Sequence, residues 1–233
     1  MPSPAHAVHA QLGAMWLGCV GWALTAVALG LVQWRVWLVS DREAISSGVA
    51  WVGLWRACFY SHTHVTPGLL VMHCESMGLT EAFTPPEVAA GQVLMLVSLL
   101  AGIGGNAAAV YALRNAFFGM GRGSPIRSAF VAAGVLCLLA GAASLAPLLW
   151  NLSSVATNQT VKFPPRFKMP PAPDSQHMGW GIFVGLVGTV LMVVSGVVFC
   201  TYRSPKRSRH LDSALSGGAG GEDNLAFESQ DHL

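Results

Sequence analysis

Four stretches, residues 11–32, 88–113, 128–150 and 178–202, contain no Asp, Glu, Lys or Arg. Each holds 22 to 26 residues, which at ~1.5 Å per residue covers a hydrocarbon core of ~30 Å with room for tilt. Only 10% of the 233 residues are charged and 53% are hydrophobic; a soluble domain of this size needs far more charge to cover its surface. The chain is therefore expected to cross a bilayer four times. Residues 1–10 carry no Lys or Arg. The first apolar stretch is too long and too poor in a cleavage site for a removable signal peptide, so it should serve as its own insertion signal.

Orientation follows from the basic residues. Arg114, Arg122 and Arg127 lie between the second and third spans with no acid among them, and Arg203, Lys206, Arg207 and Arg209 follow the fourth. Both segments, 114–127 and 203–233, read as cytoplasmic, as does 1–10. Residues 33–87 and 151–177 are then the two extracellular loops, and Lys162, Arg166 and Lys168 in the second oppose the rule only mildly. The sequons at Asn151 and Asn158 agree with an outside location and mark candidate glycosylation sites.

Of the five cysteines, Cys19, Cys137 and Cys200 fall in spans, where a thiol is most often a small apolar residue. Cys58 and Cys74 share an extracellular loop, an oxidising setting in which a disulfide is expected. A metal site built on His62, His64 and His73 is the rival reading, but the spacing matches no zinc pattern; neither a metal nor another cofactor is expected.

Small residues recur four apart on every span: Ala14 and Gly18, Gly105 and Ala109, Ala140 and Ser144, Gly181 and Gly185. Close backbone packing at such positions holds bundles together in lipid, where no hydrophobic drive acts between helices. Gln92 and Asn106 are the amides well inside the spans, and they are expected to bond between helices. With no acid, Lys, Arg or His there, a transport path through the bundle is not expected.

The first loop is rich in Trp and β-branched residues, and residues 49–60 read as one strand. The expected fold is mainly α: a four-helix transmembrane bundle carrying a small extracellular antiparallel β-sheet. The Gly-rich tail cannot bury enough surface to fold. Cys200, at the cytoplasmic edge, is a candidate for S-acylation. Asp231, His232 and Leu233 end the chain with the hydrophobic residue that a PDZ scaffold takes by strand addition.

With Trp34 after the first span, then Gly53-Leu54-Trp55, then Cys58 and Cys74 in the same loop, the sequence resembles the claudin family. The four spans, long first loop and short second loop agree with it, so the resemblance covers nearly everything before the tail. Residues 33–37, 112–115 and 163–165 look most like a divergent branch, the one numbered thirty-four. Claudins usually have fewer residues between the cysteines, a basic residue where Pro85-Pro86-Glu87 stands here, and a terminal Tyr-Val pair that this tail lacks.

The resemblance implies a structural adhesion protein of tight junctions in the plasma membrane. It would polymerise with claudins in the same and facing membranes, forming or modulating a paracellular barrier or pore. Glu75, just after the second cysteine, matches a position where claudins place fixed charge, implying a mild preference for cations that His73 would weaken as pH falls. The alternative is an accessory membrane protein that regulates a channel or adhesion complex without forming strands. No triad or paired-cysteine redox motif supports an enzyme, and no nucleic-acid partner is expected.

Overall fold

The structure is a computed structural model that describes residues 4–40, 45, 47–62, 70–118, 126–165 and 172–202. Four helices, α1 (Pro4–Gly30), α2 (Pro86–Phe118), α3 (Ile126–Ala156) and α4 (Trp180–Cys200), are long and apolar enough to cross a membrane. Five strands join them: β1 (Arg35–Leu38), β2 (Val49–Val52), β3 (Arg56–His62) and β4 (Leu70–Ser76) between α1 and α2, and β5 (Ser175–Met178) between α3 and α4. They form one antiparallel sheet in the order β4-β3-β2-β1-β5.

The helices outrun the apolar stretches where no membrane has to be crossed. Helix α2 begins at Pro86, whose missing N–H costs nothing in a first turn, and Glu87 beside it complements the positive end of the helix dipole. Helix α3 continues six residues past Trp150 and closes on Asn158, whose φ of 52° is the left-handed conformation that Asn tolerates after a helix.

The small residues are the contact points. A methyl group at Gly21 would come within 2.7 Å of the Gly188 carbonyl oxygen, so α1 and α4 touch backbone to backbone. At Gly105 it would meet the Cys137 sulfur at 2.8 Å, and at Gly185 a methyl carbon of Leu148 at 2.7 Å. Ala14, Ala109, Ala140 and Ser144 are buried with them. Hydroxyls and one indole bridge the helices. Ser98 Oγ donates to Ala140 O (2.8 Å), Ser195 Oγ to Ala14 O (2.7 Å), and Trp22 Nε1 to Leu99 O (3.0 Å).

Two sequence expectations change. Gln92 does not bond to another helix; its Nε2 donates to Leu54 O (2.6 Å) and Met77 O (2.9 Å), at the two ends of the β3–β4 hairpin. Asn106 packs over Gly18, and its Oδ1 accepts no hydrogen bond. The run 49–60 is two strands rather than one, because Gly53-Leu54-Trp55 turns the chain. The Gly53 N–H donates to Arg56 O (2.9 Å), and Met77 N–H to Trp55 O (2.8 Å).

Candidate functional site

The sheet's two faces differ in what covers them. Arg35 and Trp37 on β1, Ala50 and Val52 on β2, Ala57 and Phe59 on β3 and Gln176 on β5 lie in register on one face and are buried. Trp37 meets Phe163 edge-to-face, with ring centroids 5.5 Å apart. The opposite face carries the row Val36, Trp51, Cys58 and Cys74. Cys58 and Cys74 stand directly across β3 and β4 and are joined by a disulfide.

The motif residues connect the sheet to the bundle. Trp34 is buried, with its indole N–H donating to the Ala28 carbonyl oxygen (2.8 Å), one of the carbonyls left over at the end of α1. Its ring lies against Gly181 of α4, where a methyl group would come within 2.5 Å of it. Gly53 sits over Val32, where a side chain would collide with backbone. Leu54 is buried against Gly91 of α2, whose lack of a side chain makes the space. Trp55 is partly exposed, at 37%.

A buried ionic group pins the same seam. Arg35 Nη2 donates to Glu87 Oε1 at 2.8 Å and to Asn151 Oδ1 at 2.9 Å, with the Arg and Glu side chains 1% and 5% exposed. The Asn151 amide donates in turn to the Glu87 carbonyl oxygen (3.1 Å) and to Pro147 O (3.0 Å). Three elements, β1, α2 and α3, therefore meet through one charge pair and one amide. Sequence reasoning missed it. It gave Arg35 no role and noted Glu87 only as an acid where claudins usually have a basic residue, although an acid in the first turn of α2 was a signal that something positive faces it.

Of the two sequon asparagines, the Asn151 side chain is 1% exposed with both ends of its amide hydrogen-bonded. Asn158 is exposed. Glu75 and His73 lie on β4, in register with Ala57 and Phe59 and on the same face, but as an edge strand β4 leaves them exposed. The His73 ring lies 6.0 Å from that of Phe59. At the other edge, the Asp174 carboxylate accepts from the hydroxyl and backbone N–H of Ser40, and these bonds hold its pKa below the usual carboxylate value. Cys200, the last residue of α4, is exposed, and its sulfur rests over Gly134. The His62 side chain, His64, Asp231, His232 and Leu233 lie outside the described residues.

These features define a class: a multi-pass membrane protein whose bundle holds up a disulfide-clasped sheet. The profile of the PMP-22/EMP/MP20/Claudin tight junction family matches residues 19–201. Similar curated proteins include Claudin-3 of Canis lupus familiaris, 25% identical over 93% of this chain and 95% of that protein. Claudin-5 of Homo sapiens is 26% identical over 78% and 77%, and Claudin-2 of Mus musculus 25% over 85% and 80%. The chain belongs to the claudin family and is a multi-pass protein of the plasma membrane.

Proposed function

We propose that the chain is a structural and adhesive component of tight junctions that associates with claudins in its own and the facing membrane and sets the permeability of the paracellular path. The observation that carries this reading is the sheet: it is clasped by Cys58–Cys74, fixed to the bundle at Trp34, Leu54 and Arg35, and leaves β4 uncovered with Glu75 exposed. A fixed carboxylate held on a rigid edge selects ions by charge without any path through the bundle. The role is structural rather than catalytic.

Expression in fibroblasts that lack claudins, followed by freeze-fracture, should show intramembrane strands and staining concentrated at cell contacts. Diffuse surface staining with copurification of a channel would point instead to the accessory role. In an epithelial layer, dilution potentials should show a mild preference for sodium over chloride that Glu75→Gln removes. A chloride preference, or no change on substitution, sinks the assignment of Glu75.

Two modifications belong to the same reading. An N-glycan is assigned to Asn158, so a glycosidase-sensitive mobility shift should vanish in Thr160→Ala and persist in Ser153→Ala, which removes the other sequon without touching buried Asn151. S-acylation is assigned to Cys200, and acyl-exchange labelling should be lost in Cys200→Ser. The C-terminal Leu233 is proposed to bind a PDZ scaffold, to be tested by pull-down with and without the last three residues.

A further inference from the structure

Where β1 and β5 meet the start of α4, Val36, Met178, Gly179, Trp180 and Phe183 line an open apolar groove of about 320 Å³. That is at the small end of pockets that hold ligands, roughly 300 to 1,000 Å³. We propose that this groove binds a membrane sterol from the extracellular leaflet.

Three observations lead to that occupant. Helix α4 has 21 residues, which at ~1.5 Å each is only just the ~30 Å of the hydrocarbon core. Trp180 at its start therefore lies at the outer membrane surface, where its ring, 66% exposed and edge-to-face with Phe183, suits an interfacial position. The groove is continuous with lipid-facing surface. Phe183 is followed at helical spacing by Val187, Val190 and Val194, all exposed and apolar, so a ligand entering the groove continues along α4 among acyl chains.

The polar chemistry separates a sterol from a phospholipid. None of the five lining residues is charged. Arg35, paired with Met178 across the strands, is 1% exposed and on the buried face, with its Nη2 bonded to Glu87 and Asn151, so its charge is not presented at the surface to a phosphate. His177, exposed and in register with Val36, stands at the level where a single hydroxyl would emerge. A rigid, flat ring system with one hydroxyl matches an uncharged groove with aromatic walls; a charged headgroup does not.

The test is photolabelling of the full chain in cell membranes with an alkyne-tagged cholesterol analogue carrying a diazirine on its ring system. The expected label falls on peptides spanning residues 178–183 and is competed by cholesterol. Val36→Phe, which fills the groove, should lower it at least fivefold while the chain still reaches the surface with Cys58 and Cys74 protected from thiol reagents. Should Val36→Phe fail to reach the surface, Trp180→Ala decides, since that exposed ring can be removed without opening the core, and labelling should again fall. Labelling elsewhere only, or labelling unchanged in the variant that reaches the surface, overturns the proposal. So does a photoreactive phosphatidylcholine that labels the same peptide as strongly, because the occupant is then an acyl chain.

Discussion

The middle of the bundle and the rim that carries the sheet both bury polar groups away from water, and they do so with opposite chemistry. In the middle, glycine and alanine bring backbones into contact, and most of the polar side chains are short hydroxyls that lend a hydrogen to a nearby carbonyl, some of them one helix away, as Ser195 does to Ala14. Such bonds are individually small in lipid, about 0.6 kcal/mol on average, because alternative partners lie nearby in the same helix. At the rim the partners are long and charged. Arg35 reaches Glu87 and Asn151 across three elements, and Gln92 grips both ends of a hairpin. The middle can shift by small steps and stay bonded, whereas the rim is held by a few groups that have no substitute if one is lost.

The sharpest way to test that difference is to strand one charge. Glu87→Ala leaves the Arg35 guanidinium buried and unpaired, which should cost about 3–5 kcal/mol, enough to retain most of the protein inside the cell. Replacing both, as Arg35→Met with Glu87→Leu, should recover much of that loss, because a buried ion pair adds little over a well-packed apolar pair. Thermal unfolding in detergent, followed through the reactivity of buried thiols, measures both. Equal losses in the single and double variants would show that the seam depends on the charges themselves. Next in size is the clasp. Opening it with Cys58→Ser and Cys74→Ser together should cost about 3 kcal/mol through the freed loop, with retention in the cell. Normal delivery with an unchanged melting temperature would mean that the seam alone orders the sheet.

The contrast also explains what could be seen in the sequence. The bundle was legible because its signals are local: runs without charge, and small residues four apart on one helix. The rim was not, because its partners lie far apart in the chain. Arg35 and Glu87 are separated by 52 residues and Glu87 and Asn151 by 64, and each alone has a simpler meaning as a loop charge, a helix start or a sequon. Gln92 sits among apolar neighbours and looked like an interhelical amide, while its targets are the Leu54 and Met77 carbonyls at the two ends of a hairpin, 38 and 15 residues away. Strand β5 has no hydrophobic alternation; Ser175–Met178 becomes a strand because β1 offers it an edge. The paired cysteines and Trp34 were legible, since an oxidising loop and a family motif each name a partner or a place.

A smaller effect is expected in the middle of the bundle. Gly188→Val sets a branched side chain against the Gly21 backbone and should cost about 1–3 kcal/mol as α1 and α4 are pushed apart. Gly13 has open space around it, so Gly13→Ala should leave the melting temperature unchanged or slightly raised. If both are silent, close contact between α1 and α4 is not what holds the bundle.

The smallest expected effect lies at the far edge of the sheet, where an exposed carboxylate does in water what Glu87 does in the core. The Ser40 hydroxyl and N–H hold the Asp174 pKa below its usual value. The contribution of these bonds is therefore complete above the unfolded carboxyl's pKa of about 3.9 and is lost as pH falls through the lower folded value. At neutral pH the Asp174 carboxylate stays ionised, and solvent screens it. Hydrogen exchange at the Ser40 amide should accelerate relative to its neighbours when Asp174 is replaced by Asn, and on acidification below about pH 4 in the wild type, with no change in global melting at pH 7. An equally large drop in melting temperature for Asp174→Asn and Glu87→Ala would contradict the distinction, since it would make an exposed hydrogen bond worth as much as a buried ion pair.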